Sequence, residues 1–152
     1  MGNLLSDVFD LKTIIINLKA KTRDEAFTEL TDAIADVHPG CNREDMLTAI
    51  KEREKKMSTG VAPGFAIPHA PCRKMEKTVG AIGISRDGIN YDALDKQPVH
   101  VVFLLVMSES ATESHLKILN QIFRLTQSET LTLLRNAKNP QEIHRILSHL
   151  QF

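Results

Sequence analysis

Residues 99–107, Val-His-Val-Val-Phe-Leu-Leu-Val-Met, form the most apolar stretch of the sequence. Nine residues are too few to cross a bilayer, which takes about 20, so we interpret this stretch as a strand. Its apolar residues occupy successive positions instead of alternate ones, which indicates burial of both faces. The stretch therefore predicts a central strand whose sheet is covered by helices on each side.

Further strands are predicted on both sides of this central strand. Short apolar or β-branched runs mark strands at 13–18, 65–67 and 79–85, and a turn at 86–88 leads to a short strand at 89–91. The backbone around 65–67, from Ser58 to Pro71, is expected to be irregular, because it holds two glycines and three prolines.

Helices are predicted from capping residues and from apolar residues at helical spacing. Caps are expected at Thr22, where Glu25 completes a capping box, at Asn42 and at Asn139. Two more helices should contain His115 to Phe123 and Leu131 to Leu134. The interleaved order predicts an α/β fold, a three-layer sandwich with a mixed, largely parallel sheet of about five strands and helices on both faces. With no repeat or linker, residues 1–152 should form one domain.

The composition narrows the possible functions. The chain has 152 residues, 42% of them hydrophobic, and its 19 basic side chains equal its 19 acidic ones. Without net basic charge, it lacks the electrostatic basis for binding a nucleic-acid backbone. Two cysteines are too few for the disulfide framework of a secreted mini-protein, and residues 1–10 lack the basic start of a secretory signal. We expect a mature cytoplasmic chain with no nucleic-acid partner and no membrane insertion.

Two histidines are candidates for chemistry. His69 lies between Pro68 and Pro71, and prolines on both sides restrict the direction of an imidazole that acts as a nucleophile. The alternative is a proline-rich turn that carries a surface histidine. His115 follows Met107 by eight residues, in the first turn of a predicted helix, so both imidazoles are expected at the same sheet edge. The alternative for His115 is simple packing on the sheet.

The segment before His69 contains groups that suit phosphate. Residues 58–64, Ser-Thr-Gly-Val-Ala-Pro-Gly, offer two hydroxyls and backbone amides but lack the nucleotide-loop pattern. Arg53, on the charged end of the preceding helix, is close enough in sequence to reach this loop, or else is simply solvated. His69 and Cys72 have the spacing of half a metal site, but no second close pair exists, so we expect no metal.

These pieces together favour a phosphorylated histidine. A phosphoryl group brings nearly two negative charges, and residues 53–69 supply an arginine, hydroxyls and amides. At matching spacing, they resemble the signature of the fructose/mannitol-type enzyme IIA domains of the bacterial phosphoenolpyruvate-dependent phosphotransferase system. The matching positions are Arg53-Glu54, Ser58-Thr59-Gly60, Gly64 and Ala66-Ile67-Pro68-His69, and beyond them the capped first helix, Asp92-Ala93-Leu94-Asp95 and His115-Leu116.

The resemblance implies a role for each matching residue. His69 would accept a phosphoryl group on Nε2 from the histidine-containing phosphocarrier protein, with Arg53 and His115 holding the site. The hydroxyls and amides of the loop lead us to expect that Ser58, Thr59, Gly60 and Gly64 bind the phosphate, and the resemblance implies that no metal or nucleotide cofactor is needed. The sequence departs from the family pattern at Met57, Ala62, Pro63 and Pro71-Cys72, which bears on partner preference.

In its length, the chain resembles the nitrogen-regulatory branch of this family, in which phosphorylation regulates target proteins. A sugar-specific IIA subunit that passes phosphate to a IIB partner is the first alternative, and a non-catalytic binding module of the same fold is the second. For docking of the phosphocarrier we expect an apolar surface that includes Met57, Val61 and Phe65, since a relay needs a transient interface. Their burial in the core is the alternative.

Overall fold

A computed structural model describes residues 5–60, 62–110 and 112–149. The elements in chain order are α1 (Leu5–Val8), β1 (Phe9–Ile15), α2 (Arg23–Val37), α3 (Arg43–Lys56), β2 (Phe65–Ala66), β3 (His69–Cys72), β4 (Val79–Ile89), β5 (Val99–Ser108), α4 (Thr112–Leu125), α5 (Ser128–Arg135) and α6 (Pro140–Ser148). Within these ranges no helix has the length and apolar character needed to span a bilayer.

The five strands form one mixed sheet around β5. On one side, β5 pairs with β4 in antiparallel orientation, and β4 pairs in parallel with β1. On its other side, β2 and β3 follow each other along β5, both parallel to it. The predicted α/β fold with a mixed sheet of about five strands is therefore confirmed.

Both faces of β5 are buried, as its unbroken apolar run predicts. Val102, Leu104 and Val106 pack with residues of α2 and α3. The alternate residues Phe103 and Leu105 pack with residues of α1, α4, α5 and α6. The helices thus form two layers with the sheet between them.

The predicted helix caps are confirmed. The Thr22 hydroxyl accepts from the amide of Glu25, and the Glu25 carboxylate accepts from the amide of Thr22, which completes the capping box of α2. Asn42 caps α3 and Asn139 caps α6, each by accepting an amide hydrogen bond. These caps depend on residues three apart, so local sequence was sufficient to predict them.

Two strands were predicted with wrong bounds. The first was expected at 13–18 but is Phe9–Ile15, because the buried Phe9 ring packs on Phe103 and anchors the strand before its polar residues. β4 continues to Ile89 through the predicted turn, because the amide of Gly88 bonds to the Ser85 hydroxyl and the register shifts without ending the strand.

The backbone around His69 also differs from the prediction. His69 begins β3 instead of lying in a turn, and it pairs with Leu105. Both prolines are compatible with this pairing. The Pro68 carbonyl accepts from the Leu105 amide. Pro71 has no backbone N–H to donate, but a residue of an edge strand needs none on its open side.

Candidate functional site

His69 is half-buried at the start of β3, and one hydrogen bond determines its tautomer. Its Nδ1 lies 2.6 Å from the carbonyl oxygen of Ile67. Because a carbonyl can only accept, Nδ1 carries the proton and the neutral ring keeps its lone pair on Nε2. This arrangement leaves Nε2 as the nucleophilic nitrogen.

The surroundings of His69 favour the neutral ring. Burial is the main influence and lowers the pKa of His69 below 6.5, and the positive charge of Arg53 lowers it further. The hydrogen bond to Ile67 and the negative charge of Glu54 act in the opposite direction without reversing the shift. At neutral pH the imidazole is therefore unprotonated at Nε2, as a nucleophile must be.

Arg53 lies in the last turn of α3, where its charge acts on His69. One guanidinium nitrogen, Nη1, donates to the carbonyl oxygen of Met57 at 3.2 Å. Within the described part of the chain, Arg53 makes no ion pair. The structure thus brings Arg53 into electrostatic reach of His69, with donors left for an anion.

Thr59 is anchored on a buried carboxylate, that of Glu54. The Thr59 amide donates to Glu54 Oε2 at 2.9 Å, and its hydroxyl donates to Glu54 Oε1 at 2.7 Å. The Tyr91 hydroxyl lies 2.7 Å from the Thr59 hydroxyl and donates to Glu54 Oε1 at 3.3 Å. Burial and the Glu54 carboxylate raise the pKa of Tyr91 far above its usual range, so the phenol remains a donor. Both Thr59 donors face Glu54.

Ser58 and Gly60 shape the adjacent part of the loop. The Gly60 amide donates to the Ser58 hydroxyl oxygen at 3.1 Å, so the Ser58 hydrogen can still donate elsewhere. The Gly60 carbonyl accepts from the Leu94 amide. A Cβ at Gly60 would lie 2.7 Å from the Cβ of Ala93, so this close approach requires glycine.

Gly64 lies apart from His69. Its carbonyl accepts from the amides of His100 and Val101, at the start of β5, whereas His69 pairs with Leu105. Four residues of β5 separate the two levels, roughly 13 Å at the usual rise of a strand. With a φ of +80°, Gly64 allows the turn into β2. The structure does not bring it to the candidate nucleophile.

His115 lies in the first turn of α4, with 8% of its surface exposed. Its buried Nε2 has no hydrogen-bond partner among the described residues, and burial lowers its pKa below 6.5. Residues Phe65 and Ile67 pack on the face that α4 covers, and Ala70 packs on the other. By strand alternation, His69 belongs to the α4 face, so the two histidines occupy the same side of the sheet.

The half metal site does not form. Cys72 is buried on the α3 face, opposite to His69, because strand residues three apart point to opposite faces. Among the described residues, no group of three or more potential ligands comes together.

The residues predicted to form a docking surface are not all exposed. Phe65 was a wrong choice, because it is 1% exposed and stacks on Phe103 with 6.2 Å between the ring centroids. Val61 lies outside the described residues. Met57 is 59% exposed, and Leu94, which the sequence reading did not select, is 58% exposed beside Gly60.

The structural roles of Glu54 and Tyr91 were missed as well. A signal for Glu54 was present, since a carboxylate in the last turn of a helix opposes the helix dipole and needs another reason to be there. Tyr91 follows no local pattern, and it meets Glu54 only in the folded chain, across 37 residues of sequence.

The fold and site together define an α/β sandwich with a histidine on an edge strand, an arginine at a helix end and a second histidine on the same sheet face. The sequence model of the family described as "Phosphoenolpyruvate-dependent sugar phosphotransferase system, EIIA 2" matches residues 7–150. The chain therefore belongs to this family, whose members act as phosphotransfer components. The resemblance seen in the sequence is confirmed.

Similar proteins come from both branches of the system. A "Nitrogen regulatory protein" of Bradyrhizobium diazoefficiens is 32% identical over 145 residues, which cover 95% of this chain and 94% of that protein. A "PTS system fructose-specific EIIA component" of Haloferax volcanii is 31% identical over 95% of this chain and 98% of that protein. The fructose-specific EIIABC component of Bacillus subtilis is 31% identical over 84% of this chain, but the match covers only 20% of that longer protein.

Solved structures share the fold. The nitrogen regulatory protein IIA-Ntr from Neisseria meningitidis superposes with a TM-score of 0.87 at 26% identity, covering 95% of this chain and 99% of that one. The mannitol enzyme IIA of Escherichia coli, in its complex with phosphorylated enzyme IIB, gives a TM-score of 0.78 at 17% identity, covering 93% and 99%. The second likeness shows the fold alone.

Proposed function

We propose that this protein is a nitrogen-regulatory IIA protein whose His69 accepts a phosphoryl group from the histidine-containing phosphocarrier protein. The observation that carries the proposal is the 2.6 Å contact between His69 Nδ1 and the Ile67 carbonyl. It leaves the lone pair on Nε2, within the electrostatic influence of Arg53. A IIA component needs such a nucleophile to form a phosphohistidine.

The transfer is balanced without a cofactor. The Nε2 lone pair of His69 attacks the phosphorus, a new N–P bond forms, and the N–P bond to the carrier histidine breaks with its electron pair returning to that ring. The Nδ1 proton stays on His69 and keeps its bond to Ile67. Arg53 and the Ser58 hydroxyl stabilise the phosphoryl oxygens, and those oxygens give the buried Nε2 of His115 a partner when that nitrogen carries a proton.

Thr59, Gly60 and Gly64 contribute to this function by shaping the loop and not by contacting the phosphate. Thr59 directs its donors at Glu54, and Gly60 allows the loop to approach Ala93. Since Gly64 lies roughly 13 Å along the strand from His69, we do not include it among the phosphate contacts. We propose that Met57 and Leu94 meet the phosphocarrier instead, because both expose apolar side chains next to this loop.

A sugar-specific IIA subunit is the second candidate, supported by the nearly full-length match to a fructose-specific EIIA component. In that case the phosphoryl group would pass to a IIB subunit, the kind of partner with which the mannitol enzyme IIA of Escherichia coli forms its complex. An assay of transfer from the phosphorylated chain to purified IIB subunits separates the two candidates. Rapid transfer to one of them would favour the sugar branch. A cytoplasmic location and one domain over 1–152 stay predictions in both cases.

The central claim is tested by incubating the chain with phosphorylated carrier protein and following intact mass. We expect the gain of one phosphoryl group, labile in acid and stable in base, and its loss in His69→Ala. His149→Ala is a matched control, because His149 is exposed and also bonds through Nδ1 to a backbone carbonyl, at 2.9 Å. Full phosphorylation of a folded His69→Ala variant would refute the proposal, and no labelling of the wild type would favour the binding module.

A further inference from the structure

The Glu54 carboxylate is buried in a position that is costly for a negative charge. It is 5% exposed and lies in the last turn of α3, where the helix dipole is unfavourable to anions. A buried carboxylate needs hydrogen bonds to compensate for lost water, and Glu54 obtains them from Thr59 and Tyr91. The groups that this carboxylate holds in place are the amide and the hydroxyl of Thr59.

A continuous series of hydrogen bonds leads from Glu54 to the imidazole of His69. Glu54 binds both the amide and the hydroxyl of Thr59. The carbonyl of Thr59 accepts from the amide of Ile67 at 3.1 Å. The carbonyl of Ile67 in turn accepts from His69 Nδ1 at 2.6 Å. The orientation of the Ile67 backbone, and with it the acceptor of the His69 proton, is thus tied to the carboxylate through a single loop residue.

We propose that Glu54 is a positioning residue for phosphoryl transfer: through Thr59 and Ile67 it fixes the carbonyl that keeps the His69 proton on Nδ1, and so selects Nε2 as the reacting nitrogen. The inference rests on the proposed function of His69. Among the described residues Glu54 makes no hydrogen bond to the imidazole, and the Tyr91 hydroxyl supports the carboxylate by donating to its Oε1.

The three donors around Glu54 determine which substitution keeps the loop in place. The Thr59 amide can only donate, and it faces Oε2, while the hydroxyls of Thr59 and Tyr91 face Oε1. A glutamine can turn its carbonyl oxygen toward the amide and its NH2 toward the hydroxyls, which can rotate and accept. Glu54→Gln should therefore keep Thr59 in place and remove only the charge, whereas Glu54→Ala removes both.

The first measurement is the tautomer of His69, obtained from the 15N shifts of its ring in the unphosphorylated full-length chain. We expect the Nδ1–H form in the wild type, in Glu54→Gln and in the control Glu52→Gln, which removes a charge from an exposed site of the same helix. Glu54→Ala should give a mixture of both tautomers. This measurement requires no phosphoryl transfer, so it tests the inference even if the proposed function fails.

The second measurement is the rate of phosphorylation by the carrier protein. Glu54→Ala should lower kcat by about tenfold through loss of orientation and leave KM for the carrier nearly unchanged, with most of the rate restored in Glu54→Gln. A general loss of structure would not be rescued in this way. Wild-type tautomer and rate in a folded Glu54→Ala variant would overturn the inference.

A variant that fails to fold does not end the test. Tyr91→Phe removes one donor from Glu54 and leaves the two bonds to Thr59, so it should fold, keep the tautomer and lose less rate than Glu54→Ala. If Glu54→Ala is unfolded, Thr59→Ala takes its place, because it removes the hydroxyl that donates to Glu54 Oε1. We expect a mixture of both His69 tautomers in that variant, and a wild-type tautomer and rate would overturn the inference.

Discussion

His69 and Leu105 are register partners in the parallel pair of β3 and β5. The candidate nucleophile is therefore held beside the central strand β5, whose residues are all buried except the half-buried His100, three residues before that strand ends at Ser108. The carbonyl of Pro68 accepts from the Leu105 amide, which fixes the backbone next to the imidazole. The edge strand leaves His69 partly exposed, and the central strand supports its backbone.

Replacement of Arg53 by lysine should slow phosphorylation although it keeps the charge. The guanidinium can bind the Met57 carbonyl and a phosphoryl oxygen with different N–H groups, which a single ammonium does less well. We expect a rate loss of about tenfold, equivalent to about 1.4 kcal/mol, measured by quenched reactions with phosphorylated carrier. Lys55→Gln removes an exposed charge from the same turn and should stay near the wild-type rate. Equal rates for Arg53→Lys and wild type would remove Arg53 from the site.

The parts of the fold that the sequence predicted are those that depend on neighbouring residues. The Thr22 capping box and the buried strand at 99–107 can be predicted from residues close in sequence. A cap involves residues three apart, and a strand that is buried on both faces has an unbroken apolar run. β3 was missed because its pairing with Leu105 is distant in sequence, and Pro68 and Pro71 suggested a turn. Phe9 was missed as a strand start because its support comes from Phe103.

The same distinction applies to the site. His69, Arg53 and His115 were found because they fall in a recognisable pattern, whereas their roles stay predictions. The internal support by Tyr91 could not be predicted, since nothing in the sequence shows that its hydroxyl reaches Thr59 and Glu54. Exposure is equally non-local: Phe65 and Leu94 are both apolar residues near the loop, yet only Leu94 is exposed.

Substitution of Gly60 by alanine should destabilise the loop. The added Cβ would lie 2.7 Å from Ala93 Cβ, and neither atom belongs to a flexible side chain. Such overpacking costs about 1–3 kcal/mol in free energy of unfolding, which urea denaturation can measure. Ala93→Gly in the same chain should recover part of the loss, because it removes the nearest atom. An unchanged denaturation midpoint for Gly60→Ala would contradict the close approach of the loop to Ala93.

Met57→Ser and Leu94→Ser should weaken docking of the phosphocarrier without altering the chemical step. Both side chains are more than half exposed, so their loss has little effect on folding. We expect the double variant to raise KM for the carrier by about tenfold, since apolar contacts at the centre of an interface dominate its energy, with kcat preserved. Leu133→Ser, on α5 and 58% exposed, is the control of equal exposure. An equal rise in KM for Leu133→Ser would place the docking surface elsewhere.

Stability should fall as the pH is lowered, and His115 should account for part of the effect. Burial lowers the pKa of His115 below 6.5 in the folded chain, while in the unfolded chain its pKa is about 6.5. Between these two values the unfolded state binds more protons, so the free energy of unfolding decreases as the pH falls from above 6.5 to the folded pKa. The pKa of His69 is lowered too, so it adds a slope of the same sign. Urea denaturation between pH 8 and pH 5 should therefore show a smaller slope for His115→Gln than for wild type, and a smaller one again after His69→Gln is added. A slope that His115→Gln leaves intact would show that His115 is as solvated in the folded chain as in the unfolded one.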